Sequence, residues 1–283
     1  MEIENPENAE IFLRKTQNIF EMDEVKGNLI YGLVNNLLKN KNYYGNDDPF
    51  FSIAYDKNEI KFIGLLTLPH KINIFQNGFY DDISMDIFVD NIFEHYKSMP
   101  GVSGEKNIAE IFTKKWLKRS NCKILMEKSL KCYKLETINE YYIPIGIFRK
   151  AEIKDKNIIK EYTIDFNEEI GEPVIDDENL DDNITENINN GSYYVWENDV
   201  IVSIAKKARP TKNGMAVHTV YTPKKYRRKG YGTSIVAELS KNIINSGKTF
   251  CTLFTDSENS ISNSIYQKVG YKIICENVSY KFL

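Results

Sequence analysis

The stretch Met215–Ile244, MAVHTVYTPKKYRRKGYGTSIVAELSKNII, decides the fold. Met215 to Tyr221 is apolar and carries Val and Thr at strand-like density, and Thr222-Pro223 stops it. A basic loop, Lys224 to Lys229, runs into Gly230-Tyr231-Gly232. Ile235, Val236, Leu239, Ile243 and Ile244 then recur at helical spacing. The order is strand, glycine-bearing turn, helix. The first N–H groups of a helix have no partner within it, and its dipole puts positive charge there. Gly230 and Gly232 let a ligand reach the backbone with no Cβ in the way. Together these features predict a phosphate or pyrophosphate site.

Spacing narrows the ligand. A dinucleotide fingerprint needs a further glycine at 235, which is Ile, and the Gly-Lys-Ser/Thr of a P-loop is absent. Arg227-Arg228-Lys229-Gly230-Tyr231-Gly232 instead resembles the Arg/Gln-x-x-Gly-x-Gly/Ala signature of the GCN5-related N-acetyltransferase superfamily, whose loop grips the pyrophosphate of acetyl-CoA. A basic surface loop before an ordinary helix would share this composition, so the neighbouring chain matters. Asp256–Tyr271, DSENSISNSIYQKVGY, resembles the family's Asn-x-x-x-Asn-x-x-Tyr-x-x-x-Gly-Phe/Tyr segment, in the expected order and on a predicted helix.

The resemblance implies an α/β fold: a mixed, mainly antiparallel sheet flanked by helices, with a second α/β domain ahead of it. The proline-punctuated passage Tyr141–Pro144 is the expected boundary, giving a non-catalytic acetyltransferase-like domain at 1–140 and a catalytic domain at 141–283. Before it, Asn8–Phe20 and Glu24–Lys39 read as helices, and Phe50–Tyr55 with Ile60–Leu68 as a strand pair. Pro100-Gly101-Val102-Ser103-Gly104 reads as a loop in the place of a second glycine turn. Beyond the boundary the chain reads strand, helix, acidic loop Glu168–Asp182, short helix, three strands, helix, strand, helix and a final strand pair.

Roles follow from the resemblance residue by residue. Val220, Tyr221 and Thr222 offer backbone groups to the pantetheine arm of acetyl-CoA. Arg227, Arg228, Lys229, Gly230, Tyr231, Gly232 and Thr233 hold the pyrophosphate, with Arg228 or Lys229 near the 3′-phosphate. Asn259 and Asn263 bond the lower pantetheine or order their own helix, and Asn259 is also well placed as a cap. Tyr266 aligns with the tyrosine that protonates the departing thiolate; on the residue alone it reads as a core tyrosine. The implied reaction is direct acetyl transfer to a primary amine, with a domain that holds acyl-CoA without turnover as the alternative.

The base is read from the strand itself. His218 stands two residues before Val220, so regular alternation puts both on one side, and an imidazole suits proton removal near neutral pH. Glu168 and Glu169 are its rivals, and a purely structural strand histidine is the plainer reading. The carboxylates Asp176, Asp177, Glu178, Asp181 and Asp182 point to a cationic small-molecule amine as acceptor.

Composition sets the remaining limits. The 283 residues suit two domains, and a net charge of −3 gives no global pull on nucleic acid. Cys122, Cys132, Cys251 and Cys275 form no C-x-x-C pair, so no metal is expected and a reduced, cytoplasmic setting is the simplest. No apolar run reaches bilayer length, so no membrane partner is expected. The N-terminus MEIENPENAE is unlike a signal peptide. A monomer or homodimer is expected.

Overall fold

The structure, a computed structural model, describes residues 1–79, 81–171 and 177–283, without the side chains of 177–179. The chain opens with β1 (Glu2–Glu4), α1 (Ala9–Met22), α2 (Asn28–Lys39), β2 (Phe50–Asp56), β3 (Glu59–Leu66) and β4 (Ile72–Gln76). Next come α3 (Asp82–His95), β5 (Gly101–Glu105), α4 (Lys106–Arg119), β6 (Ile124–Leu135) and β7 (Ile147–Lys150). Then follow α5 (Lys156–Ile170), α6 (Asp177–Asn189), β8 (Tyr193–Asn198), β9 (Val200–Ala208) and β10 (Gly214–Tyr221). The chain closes with α7 (Tyr231–Asn245), β11 (Phe250–Asp256), α8 (Ser260–Val269) and β12 (Lys272–Phe282). Two compact units result: Met1–Cys132 with Thr255–Glu258 and Ile273–Leu283, and Tyr133–Phe254 with Asn259–Lys272.

In the first unit the strand order is β1-β2-β3-β4-β5-β12-β6. Successive residues of β3 serve opposite faces, as strand alternation requires. Ile63 packs under α1 and α2 with Phe12, Phe20, Val34 and Phe51. Phe62 packs under α3 and α4 with Phe88, Phe112 and Trp116. The expected loop at 100–104 is instead largely strand β5, which pairs parallel to β4 (Ile72↔Val102) and antiparallel to β12 (Ser103↔Ser279). Its glycines serve close approach rather than a turn: a Cβ on Gly101 would lie 2.0 Å from the Tyr280 carbonyl oxygen.

The unit β4–α3–β5 is the counterpart of β10–α7–β11 in the second unit, each a helix joining parallel strands. Its helix start is closed to anions. Asp81 caps α3 by accepting from Ser84 N (2.7 Å), and Asp82 adds a second carboxylate to the first turn. Where the second unit presents a left-handed glycine without a side-chain cap, the first presents negative charge.

In the second unit the order is β6-β11-β10-β9-β8-β7, with β10 parallel to β11 and the pairs β10–β9, β9–β8 and β8–β7 antiparallel. Helices α7 and α8 cover one face over Ile235, Val236, Leu239, Leu253 and Val269. Helices α5 and α6 cover the other over Ile159, Ile184, Val195 and Ile204. Two expectations need correction. The acidic stretch is not mainly loop, since α5 runs on through Glu168 and Glu169, and Asp181 and Asp182 lie on α6. Asp176 and the side chains of Asp177 and Glu178 lie outside the described residues. The final strand pair is the single strand β12.

A buried ion pair fastens the start of α5. Arg149 donates to both carboxylate oxygens of Asp155 (2.7 and 3.0 Å) and to Glu197 (2.6 Å). Burial alone would raise the Asp155 pKa, but the Arg149 fork and the Glu152 N–H hold it below the usual carboxylate value. A depressed carboxylate pKa stabilises the fold above its unfolded value near 4, and that contribution fades as pH falls through the folded value. Asp155→Asn should therefore cost about 2 kcal/mol at pH 7. The difference from wild type should shrink as denaturant melts are taken down from pH 5 to pH 3.

Candidate active site

The site is built where two parallel strands stop pairing. The β10–β11 ladder runs from Gly214↔Phe250 to Ala216↔Thr252, and both strands continue past its end. On its other side β10 pairs with β9, but the register slips between His218↔Lys206 and Tyr221↔Ile204. Thr219, at φ +46°, is the pivot of this bulge. One extra residue reverses the alternation. Val217 and Val220 face the core under α7, whereas the His218 ring meets Phe166 of α5, centroids 6.2 Å apart. The expectation that His218 and Val220 share a side is thus overturned by the bulge.

Beyond Tyr221 the chain turns. Thr222 Oγ1 meets Ser203 Oγ at 2.9 Å, and Lys224–Tyr226 form a 3₁₀ turn. Arg227 does not reach outward. Its Nε donates to the Thr222 carbonyl (2.8 Å), its Nη2 to both oxygens of Glu169 (2.8 Å each), and its guanidinium lies over the Tyr221 ring. It clamps the loop between β10 and α5. Arg228 (φ +63°) and Gly230 (φ +89°) both take the left-handed conformation. Reversals of hand of this kind turn successive N–H groups into a concavity suited to an anion. A Cβ on Gly230 would lie 3.4 Å from Tyr142; one on Gly232 would lie 3.3 Å from Ile265 and 3.4 Å from Thr222. Lys224, Lys225, Arg228 and Lys229 are exposed around this mouth. Tyr231 is buried and its hydroxyl accepts from Asn198 Nδ2 (2.9 Å), so it faces the loop only through its backbone, and Thr233 follows on the same first turn.

On α8, Asn259 is the N-cap and accepts from Ser262 N (3.0 Å). Asn263 donates to the Asn259 carbonyl (2.7 Å) and accepts from Tyr133 Oη (2.7 Å). Both asparagines therefore order the helix. Tyr266 is buried against Tyr133 and Tyr271, each ring 6.0 Å away. Burial pushes its hydroxyl up to about 12, against a lowering contribution from Ser262, so it stays protonated at neutral pH.

His218 keeps solvent access yet is crowded by protein. That crowding, then the charges of Arg209 and Lys206, lowers its pKa, and the ring is neutral at pH 7. Water access limits the size of the shift rather than its sign. Nδ1 lies 2.7 Å from Thr219 Oγ1. If the ring donates there, Nε2 carries the lone pair a base needs. Lys206, opposite His218 in the ladder, is pushed down to about 8 by burial and by Arg209. It was missed from sequence, although counting outward from the turn at Arg209–Gly214 reaches it.

A cleft of about 420 Å³ opens beside β10, lined by Glu161, Asp165, Glu168 and Glu169 of α5, Tyr162, Tyr221 and the start of the basic loop. Tyr221 Oη donates to Asp165 (3.0 Å), and Glu169 is held by Arg227. The exposed Glu161 and Glu168 complete its acidic wall. Asp181, expected in this role, is ion-paired with Lys156 and Lys160 instead. Among the described residues, no three His, Cys, Asp or Glu are grouped to hold a metal, and no helix is long and apolar enough to cross a membrane.

Comparison with known proteins agrees with this geometry. Residues 203–280 match the family described as FR47-like protein. No curated protein matches the sequence. Among solved structures, an acetyltransferase of the GNAT family from Colwellia psychrerythraea aligns over 100% of both chains at 10% identity, TM-score 0.61. A GCN5-related N-acetyltransferase from Sphaerobacter thermophilus aligns over 88% of this chain and 85% of its own, at 11% identity and TM-score 0.64. A tandem GNAT protein from the clavulanic acid biosynthesis pathway aligns over 99% and 97%, at 9% identity and TM-score 0.59. The fold is that of the acyl-CoA N-acyltransferases, present as two repeats. The FR47-like match covers residues 203–280 of this fold.

Proposed function

We propose that the second unit is an acetyl-CoA-dependent N-acetyltransferase that moves an acetyl group directly to a primary amine of a cationic small molecule. The observation that carries the reading is the junction of a β10–β11 ladder ending at Ala216↔Thr252 with the left-handed Gly230 at the start of α7. The strand edge past the ladder suits an extended arm with amide groups. The helix start, ringed by Arg228 and Lys229, suits a pyrophosphate.

The chemistry asks little of side chains. The amine must lose a proton before attack, and the carbonyl oxygen gains charge as the new C–N bond forms. Neutral His218, with Lys206 beside it, is the proton acceptor in this reading. A β10 backbone N–H at the bulge stabilises the oxyanion, and the Tyr266 hydroxyl serves the leaving thiolate. The acidic cleft receives the cationic acceptor. Because the first unit caps α3 with Asp81, it takes no acyl-CoA in this reading. A panel of amines with acetyl-CoA and a thiol-release readout tests the activity, and release without an acetylated product would count as hydrolysis and refute transfer.

The acceptor wall gives its own test. Glu161 and Glu168 are exposed, so each interaction with a cation is worth about 0.5–1 kcal/mol. The double change Glu161→Gln with Glu168→Gln should raise KM for a polyamine roughly 5- to 30-fold and leave KM for acetyl-CoA unchanged. An equal rise in both constants would show a general disturbance of the cleft.

A further inference from the structure

We propose that Tyr142, which with Pro144 borders Gly230, is the stacking seat for the purine ring at the nucleotide end of the acyl donor; this rests on the acyl-CoA reading above. The segment around Tyr142 is held tightly from both sides. Tyr141 Oη donates to Glu238 (2.5 Å), Ser234 Oγ donates to the Tyr142 carbonyl (2.8 Å), and Trp196 Nε1 donates to the Ile145 carbonyl (3.3 Å). Despite this fixed backbone, the Tyr142 ring is 73% exposed. A large aromatic ring on an anchored backbone and left in water has already lost backbone freedom, so stacking on it carries a smaller further entropic penalty.

Its position gives it an occupant. The glycine mouth has two ends: Gly232 is bordered by Thr222 and Ile265, Gly230 by Tyr142 and Pro144. A donor whose arm lies along β10 enters at Thr222, sets its pyrophosphate over Gly232 and Gly230, and leaves past Tyr142. The group next to the pyrophosphate on that side is the adenosine. Arg228 and Lys229, both exposed at the same loop, are in reach of a sugar phosphate there. A flat π-face therefore stands where the nucleotide's flat base emerges, with positive charge beside it for the phosphate.

Calorimetric titration of the full chain with coenzyme A and with 4′-phosphopantetheine, which lacks the adenosine, tests this. Tyr142→Ala should weaken coenzyme A about tenfold and leave phosphopantetheine unchanged, while Tyr142→Phe should stay within about twofold of wild type for both. The ring is exposed, so its removal should leave the fold intact, and a melting curve for each variant checks this. Tyr142→Ala with no effect on coenzyme A, or with equal losses for the two probes, overturns the seat while leaving the acyl-CoA reading intact. Wild-type protein that binds neither probe removes that reading, and this inference with it.

Discussion

Gly230→Asp should weaken acetyl-CoA binding on the order of 100-fold or more, measured by calorimetry on protein whose melting temperature shows it folded. Two effects combine. Gly230 sits at φ +89°, which an L side chain rarely adopts, so the loop must shift to accommodate any replacement. The new carboxylate would also stand within about 5 Å of a bound pyrophosphate, where like charges at an effective dielectric near 20 repel by about 3 kcal/mol. Gly230→Ala separates the two contributions, because it keeps the backbone conflict and omits the charge; it should lose about tenfold. The repulsive part should weaken with added salt, since the mouth is open to solvent. An Asp variant that is folded and binds as tightly as wild type would move the donor site away from the α7 start.

How much of this was legible in the sequence depends on the range of the interactions that set each feature. The strand, the basic loop and α7 are local, and their signals stand within Met215–Ile244: apolar alternation, Thr222-Pro223, two glycines and a helical repeat. Asn259 was legible as a cap for the same reason. Features set by partners distant in sequence were not. Gly101 and Gly104 look like turn residues, yet they are glycine because the Tyr280 and Ile74 backbones pass too close for a Cβ. The bulge at Thr219 depends on which β9 residue faces it, so strict alternation wrongly put His218 and Val220 on one side. Glu168 and Glu169 read as loop because carboxylates are weak helix signals late in a helix. In the fold, Arg227 across the cleft holds Glu169, and Gly171 at φ +69° stops α5 only after them. The left-handed Gly171 is itself an ordinary C-terminal stop.

The same distinction separates the proposed donor side of the site, which rests on local signals, from the proposed acceptor side, which does not. In the proposed reading the donor is held mainly by backbone, and backbone geometry follows from glycine and helix position. The acceptor cleft is a product of tertiary contact between α5 and β10. Its Tyr221–Asp165 hydrogen bond joins residues 56 apart, and the Lys206–His218 pairing of β9 with β10 needs the turn between those strands to be counted correctly.

Tyr266→Phe should lower kcat about 100-fold with little change in KM for acetyl-CoA. General acids contribute about 10²–10⁴-fold, and the surroundings of Tyr266 favour the lower end. Its hydroxyl is pushed up to about 12 by burial. A thiol of ordinary pKa near 8.5 is the stronger acid, so full transfer from the tyrosine to a free thiolate would be uphill by roughly 3.5 pKa steps, about 5 kcal/mol. The hydroxyl's main contribution is then a hydrogen bond that strengthens as charge grows on sulfur, worth about 1.5–3 kcal/mol for a charged acceptor. Two observables separate this from a packing role. The variant keeps the ring between Tyr133 and Tyr271, so its melting temperature should change little. Its kcat should fall at every pH between 6 and 9, because a group near 12 does not titrate in that window and leaves the shape of the profile to Lys206, near 8. Single-turnover kinetics removes product release from the comparison. An unaltered single-turnover rate would make Tyr266 a core residue, and the thiolate would then leave with solvent as its proton donor.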